Sequence, residues 1–310
     1  MSTTSAEEKA KEAIAAEREA LEEGHLLPEA YRDDEYGERH VYLPHKVGLP
    51  PMGHYLRLVW ERREFALELS RTTMRAKHFD TAFGQMWLLL NPLLLGSVYF
   101  LLVDLIRHHP RPLSFFAHLL GGLFLYQVLQ TGATEGSNSV VRGGGLILNT
   151  AFPRTLLPLA SMATSFKRFL PTMIIWAIIH FAAGGTLTIY MLWSIPIVLM
   201  VTVFSTGVAM FCGAAQVYFR DLSSFLPYLL RIWMYISPIL YYWDDVPRHI
   251  QHWLLLNPMA SMLAAWSDVL QKQKAPPLNL MVIGTGWAVF GLIVGALFFI
   301  SRERDFAVRI

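Results

Sequence analysis

Cysteine, charge and any phosphate-binding run are what this chain has least of. Its one cysteine, Cys212, excludes an intrachain disulfide and lies in an apolar run, where it reads as a small packed hydrophobe. Only 16% of the 310 residues are charged while 54% are apolar, a balance that excludes an ordinary soluble domain. The few acids are unevenly spread. Of the 24, half fall before residue 40: Glu7, Glu8, Glu12, Glu17, Glu19, Glu22, Glu23, Glu29, Asp33, Asp34, Glu35 and Glu38. The net charge of +2 therefore hides an acidic arm and a basic, apolar remainder. No GxxxxGK[ST] run occurs, and Gly143-Gly144-Gly145 lacks the following Lys, so ATP hydrolysis is not expected on this chain. The opening residues are charged rather than apolar, so no signal peptide is expected and insertion should rely on the first true span.

What the chain does have is a set of long apolar runs. The pattern predicts an all-α integral membrane protein with six transmembrane helices, an N-terminal cytosolic amphipathic helix, and a short extracytoplasmic helical segment between spans five and six. Residues 1–53 read as a cytosolic, partly disordered acidic extension, broken by Pro28, Pro44 and Pro50. Residues 54–77 form the amphipathic interface helix: Tyr55, Leu58, Val59, Phe65, Ala66 and Leu69 share one arc, opposite Arg57, Glu64, Glu68, Arg71 and Arg75. Arg62 interrupts the apolar arc and can snorkel. Its place just before a span predicts a helix lying on the cytosolic leaflet, with a packed surface helix as the competing reading.

The transmembrane domain is expected over 83–301 and a cytosolic tail over 302–310. Its spans read as Phe83–Ile106 with a kink at Pro92, a second from Leu113 that turns polar after Gln130, then Phe169–Leu187, Met191–Phe219, Leu222–Tyr242 and Leu278–Ile300. Each approximates the ~20 residues that cross a bilayer core. With the N-terminus inside, about 14 Lys and Arg near the spans fall on the cytosolic side against about 5 opposite. Both termini are then cytosolic.

Two connections stand out. The cytosolic loop Val141–Arg168 holds a short apolar helix, Leu146-Ile147-Leu148-Asn149, fenced by Gly143–Gly145 and by Phe152-Pro153-Arg154; left exposed, such a patch wants a cover. The outer segment Asp244–Gln271 is too polar to span twice but amphipathic enough to dip into the outer leaflet. Arg231 lies about ten residues into the fifth span, where a charge costs roughly 3 kcal/mol on insertion scales. It should face a cavity or a partner; Glu135 and Asp104 are the available structural partners. His249 and His252 have a ligating spacing but no third ligand nearby, so no metal is expected. His180 reads as a packed, hydrogen-bonded residue.

The chain from about Tyr55 onward resembles the permease subunits of type-2 ABC exporters. The carriers are the amphipathic helix leading to Phe83-Gly84-Gln85-Met86-Trp87 and Asn91-Pro92, then Gly122 to Tyr126 running on to the Phe152-Pro153 loop. Arg220-Asp221, Ser237-Pro238-Ile239 and Asn257-Pro258 are similar to the branch that exports polysaccharides: O-antigen, teichoic acid, capsule or mycobacterial galactan. The long acidic arm faintly resembles the galactan-exporting members.

The resemblance implies a subunit of the bacterial inner (plasma) membrane that pairs with a second copy of itself and two ATP-binding-cassette subunits. Asn149, Phe152, Pro153 and Arg154 would couple to the ATPase, with Arg62, Arg71 and Arg75 of the interface helix flanking that contact. The cargo would be a lipid-linked glycan; membrane lipids are further partners, and nucleic acid is not. No cofactor is expected here, with ATP and Mg on the partner. Tyr99, Phe100, Arg231, Trp233, Tyr235, Tyr241 and Tyr242 are the expected liners of a sugar path, since aromatic faces stack on sugar rings. Lipid-facing or helix-packing aromatics are the bland alternative. Two rivals stay open: a type-2 exporter of a drug or small lipid, and a membrane-embedded glycosyl- or acyltransferase using Asp244, Asp245, His249 and His252.

Overall fold

A computed structural model describes residues 51–76, 86–107 and 112–310. The acidic extension, and Phe83-Gly84-Gln85 with Lys77, lie outside the described residues. Those that are described form helices joined by short connections, without strands.

Two short helices open it, α1 (Met52–Glu61) and α2 (Arg63–Ala76), followed by α3 (Trp87–Arg107) and α4 (Leu113–Arg142). Next come α5 (Gly144–Asn149), α6 (Leu156–Ala182), α7 (Ser194–Tyr218) and α8 (Leu222–Ile236). The chain closes with α9 (Arg248–Leu254), α10 (Pro258–Leu270), α11 (Leu278–Arg302) and α12 (Phe306–Arg309). Five of these stretches are long and apolar enough to cross a membrane: α3, α4, α6, the stretch from Ile189 through α7, and the stretch from α11 onward. The chain is an integral membrane protein.

Helix α4 is the centre. Helices α6 and α7 flank it, α11 packs on α7, and α3, α8 and α10 lie against its remaining sides. Without water to drive apolar groups together, membrane helices associate through close backbone approach and polar contacts. Both devices are present. A Cβ on Gly207 of α7 would run into the backbone of Gly291, and one on Gly295 into that of Gly207, so Gly291-x-x-x-Gly295 lets α7 and α11 touch main chain to main chain. Between α4 and α6, Ser165 Oγ donates to the Val128 carbonyl at 2.9 Å and Trp176 Nε1 to the Ala117 carbonyl at 3.0 Å.

The structure corrects several boundaries. The third span starts at Leu156, not Phe169, because Lys167, Arg168, Thr164 and Ser165 sit on the helix with partners of their own. Pro158 falls in its first turn, where the missing N–H costs nothing. The fifth stretch is not a span-length helix that bends at Pro238. It stops at Ile236 after 15 residues, roughly 22 Å at 1.5 Å per residue, against about 30 Å of hydrocarbon. Ser237 is extended (φ −85°, ψ 149°), as the residue before a proline prefers.

The second half of the outer segment does not lie in the leaflet, whereas its first half, α9, keeps Ile250 and Trp253 exposed. Every residue from Met259 to Leu270 is buried, packed against α4, α7 and α11. Helix α2 also turns its apolar side to protein: Ala66 is buried with Leu156 and Ala160 of α6, and Ser70 takes hydrogen bonds from Thr164 at 2.9 Å and Lys167 at 3.1 Å. This is the packed alternative to a helix floating on lipid, although Leu56, Trp60 and Leu67 remain exposed.

Candidate functional site

Helix α8 has two faces. Leu226, Leu230 and Met234 are buried, and Tyr126 of α4 donates its hydroxyl to the Leu230 carbonyl at 2.6 Å. The other face shows Phe225, Tyr228, Leu229, Ile232, Tyr235 and Ile236 at helical spacing, Tyr228 being 68% exposed. Arg231 lies on that exposed face and makes no ion pair among the described residues. Glu135, one of its expected partners, is engaged elsewhere, 3.6 Å from Arg142 and 3.7 Å from Arg168. A lone guanidinium amid apolar side chains is poorly suited to lipid and well suited to a partner surface or a water-lined path.

The other expected liners divide. Tyr99 of α3 and Tyr235 of α8 are joined, hydroxyl to hydroxyl at 3.0 Å with rings edge-on at 6.0 Å, so α3 and α8 present one front. Phe100 is turned inward against Phe115 and Phe116, and Tyr242 against Phe115 and His118. Trp233 packs edge-on against Phe204 of α7. Tyr241 donates to the Ile236 carbonyl at 2.6 Å, closing the end of α8. The structure therefore leaves Tyr235 and Arg231 exposed, buries Tyr99 behind them, and packs Phe100, Trp233 and Tyr242 against the core.

Asn257 is a residue whose role sequence reasoning did not reach. Its Oδ1 accepts from Met259 N at 3.0 Å, capping α10, and from Trp233 Nε1 at 2.6 Å; its Nδ2 donates to Ser237 Oγ at 3.0 Å. The Ser-Pro and Asn-Pro dipeptides are thus the two halves of one clasp. It joins the end of α8 to the start of α10 and turns the chain back into the bundle. The signal was in the sequence as an N-cap Asn before Pro at the first helical position.

At the opposite end, α5 presents Leu148 (63% exposed) and Asn149 outward, while Ile147 is buried. Phe152, half-buried, meets Phe65 of α2 at 5.1 Å, and Pro153 is buried. Arg154 binds inward: its backbone N–H donates to Glu303 Oε1 at 2.5 Å and its guanidinium to the Glu303 carbonyl. Tyr55 of α1 completes this knot, donating to Glu303 Oε2 at 2.5 Å and lying 3.0 Å from Thr155 Oγ1. Burial, and then the Glu303 charge, push the Tyr55 phenol far above its usual value. Arg62 donates to the Ala151 carbonyl at 2.5 Å, Arg71 pairs with Glu68 at 3.2 Å, and Arg75 is exposed. Glu303 has no sequence signature; only the fold brings it to Tyr55 and Arg154.

Of the Asp and His group between α8 and α11, Asp244 and His252 line one pocket with Asp268 and Lys274, while Asp245 and His249 do not line it. Asp244 and Asp268 both pair with Lys272, at 2.5 Å and 2.7 Å. Burial works against the Lys272 charge, but hydrogen bonds and attraction from the two carboxylates outweigh it and hold the ammonium above its usual pKa. His252 Nδ1 lies 2.9 Å from the Arg248 carbonyl on its own helix, and His249 is exposed. Among the described residues no group of three His, Cys, Asp or Glu is arranged to hold a metal. His180 stacks on Trp176 at 4.7 Å, with no hydrogen-bond partner at Nε2.

No protein-family profile matches the chain. It is 27% identical over 202 residues to an O-antigen export system permease protein RfbA of Klebsiella pneumoniae, covering 65% of this chain and 78% of that one. It is 24% identical over 256 residues to the protein of the same name from Myxococcus xanthus, covering 81% of this chain and 97% of the other. The resemblance read from the sequence holds: these relatives are O-antigen export permeases by name, and the chain's similarity to them, with its membrane-spanning helices, is consistent with a type-2 ABC exporter permease for polysaccharide.

Proposed function

We propose that this chain is the transmembrane subunit of an ATP-driven exporter that moves a lipid-linked polysaccharide from the cytosolic to the outer face of a bacterial inner membrane. It acts as a homodimer with two separate ATP-binding-cassette subunits, which bind ATP and Mg. Both termini are cytosolic. The observation that carries the reading is the front formed by α3 and α8, with Arg231 free of an ion pair among the described residues and Tyr235 tied to Tyr99. Two copies meeting there enclose a path whose aromatic rings stack on sugars without reading their identity, while Arg231 attracts the phosphates of the carrier lipid.

At the cytosolic end, Leu148 and Asn149 of α5 touch the ATPase. Phe152, Pro153 and Arg154 transmit its movement by holding α5 against α2 and the Glu303 turn. Arg62, Arg71 and Arg75 flank that contact. The names of the relatives favour O-antigen-like cargo, and the long acidic arm makes a galactan the second glycan to try.

The test is ATP hydrolysis by the chain co-purified with its nucleotide-binding subunit, with and without lipid-linked O-antigen or galactan. Stimulation by glycan that Arg231→Gln abolishes and Asn149→Ala uncouples is the expected result. A chain that binds no ATPase, or one stimulated only by apolar drugs or short lipids, overturns the reading.

A further inference from the structure

Helix α4 carries a stripe that its apolar surroundings do not explain. Gln127, Gln130 and Thr134 fall at i, i+3 and i+7 on one side, and with Thr131, Glu135 and Asn91 of α3 they line a cavity of about 310 Å³ between α3, α4 and α8. Pro92, Leu95, Leu123, Tyr126, Pro227 and Met234 line the rest. Among the described residues the side-chain amides of Gln127, Gln130 and Asn91 have no hydrogen-bond partner. Amides at membrane depth without protein partners are costly unless water or a ligand satisfies them.

We infer that this cavity is a subsite for a carbohydrate unit, with the Gln127 and Gln130 amides pairing with neighbouring hydroxyls of one sugar ring. The inference rests on the exporter reading and deepens it: the front of α3 and α8 stacks sugars, and this wall hydrogen-bonds them. Each amide offers a donor and an acceptor, which is what a vicinal diol needs. An anion would want donors only, and the guanidiniums nearest this wall, Arg142 and Arg168, are already paired with Glu135. A lipid chain would want no amides at all. Glu135 accepts a further hydroxyl, and Leu95, Leu123 and Met234 take the apolar face of the ring. The volume lies at the lower end of the ~300–1,000 Å³ of small-molecule sites, which fits a sugar unit rather than a length of polymer.

The test uses the full chain in lipid nanodiscs. Cys212 is buried and is the only cysteine, so Gln130→Cys in a Cys212→Ala background gives a single reporter thiol. A charged thiol reagent should label it. An undecaprenyl-diphosphate-linked disaccharide should slow labelling about tenfold, whereas undecaprenyl diphosphate without sugar should not. Separately, Gln127→Leu with Gln130→Leu should weaken binding of the glycosylated lipid about tenfold, the loss of a few hydrogen bonds, and leave the sugar-free lipid unchanged.

A thiol that stays unlabelled, or labels at one rate while the glycosylated lipid is bound, overturns the inference; in the latter case the cavity holds only water. Equal weakening for both lipids overturns it as well. If neither lipid binds the unsubstituted chain, the exporter reading itself fails and the subsite falls with it.

Discussion

Helices α3 and α4 are neighbours of opposite character. In its most apolar stretch α3 has 17% of its residues buried, with Leu94, Val98, Leu101 and Leu105 exposed; the corresponding figure for α4 is 72%. Yet α4 is the one that carries Gln127, Gln130, Glu135, Ser137 and Asn138. In water the ordering would be reversed. In a bilayer the lipid is as apolar as leucine, so apolar surface is free to face outward, and polar groups and glycines are what draw a helix into the bundle. The helix with more polar groups and glycines is the one drawn inside, and Leu, Phe and Val fill half of its buried positions while Gln127, Gln130 and Glu135 stay half-buried.

The sharpest way to break that contrast is to put bulk where backbones touch. A Cβ on Gly136 of α4 would meet Ala209 of α7. Gly136→Leu or Gly207→Leu should therefore cost at least ~3 kcal/mol by forcing the helices apart, whereas Leu101→Ala on α3 should stay within about 0.5 kcal/mol. Thermal unfolding in detergent, followed by aggregation, reads the difference; equal losses would refute the contrast.

Arg231→Leu makes the outer front uniformly apolar. Thermal stability should be unchanged or slightly raised while glycan-stimulated ATP hydrolysis falls tenfold or more. A loss of folding instead would mean that Arg231 is a structural group.

The clasp and the knot should respond more modestly. Asn257→Ala removes a helix cap and the partner of Trp233 Nε1, about 1–3 kcal/mol, whereas Ser237→Ala removes one contact and should cost about 1 kcal/mol. Tyr55→Phe takes one donor from the half-buried Glu303 carboxylate and should likewise cost about 1–3 kcal/mol. Urea or thermal melts of the paired variants rank them, and an Asn257→Ala no worse than Ser237→Ala would show that the cap is unimportant.

The smallest effect belongs to Lys272. Because its folded pKa is raised, its ion pairs stabilise fully below its usual value of 10.5, and that contribution is lost as pH rises through the folded value. Lys272→Met should remove this alkaline step from the profile of melting temperature against pH. An unchanged step would assign it to another group.

Much of this was legible. Length and apolar periodicity gave the membrane class and most of the spans, since a helix must satisfy its own backbone in lipid whatever its neighbours do. The place of Arg231 in α8 and the exposed turn at Asn149 could also be read. Less legible was the length of α8, because the apolar run continues to Tyr242 while Ser237, set before Pro238, leaves the helix. The start of α6 was missed because Thr164, Ser165, Lys167 and Arg168 look like loop until their partners on α2 and α4 are known.

Sequence alone therefore determined that this chain crosses a membrane as helices, and which helix carries Arg231 within an apolar run; both follow from local composition and spacing. Tertiary structure decided which aromatics stay on the surface, that Asn257 joins two distant dipeptides, and that α10 is buried rather than laid on lipid. Those outcomes depend on what stands opposite each side chain across the bundle, and residues far apart in sequence, such as Tyr55 and Glu303, carry no local sign of their contact.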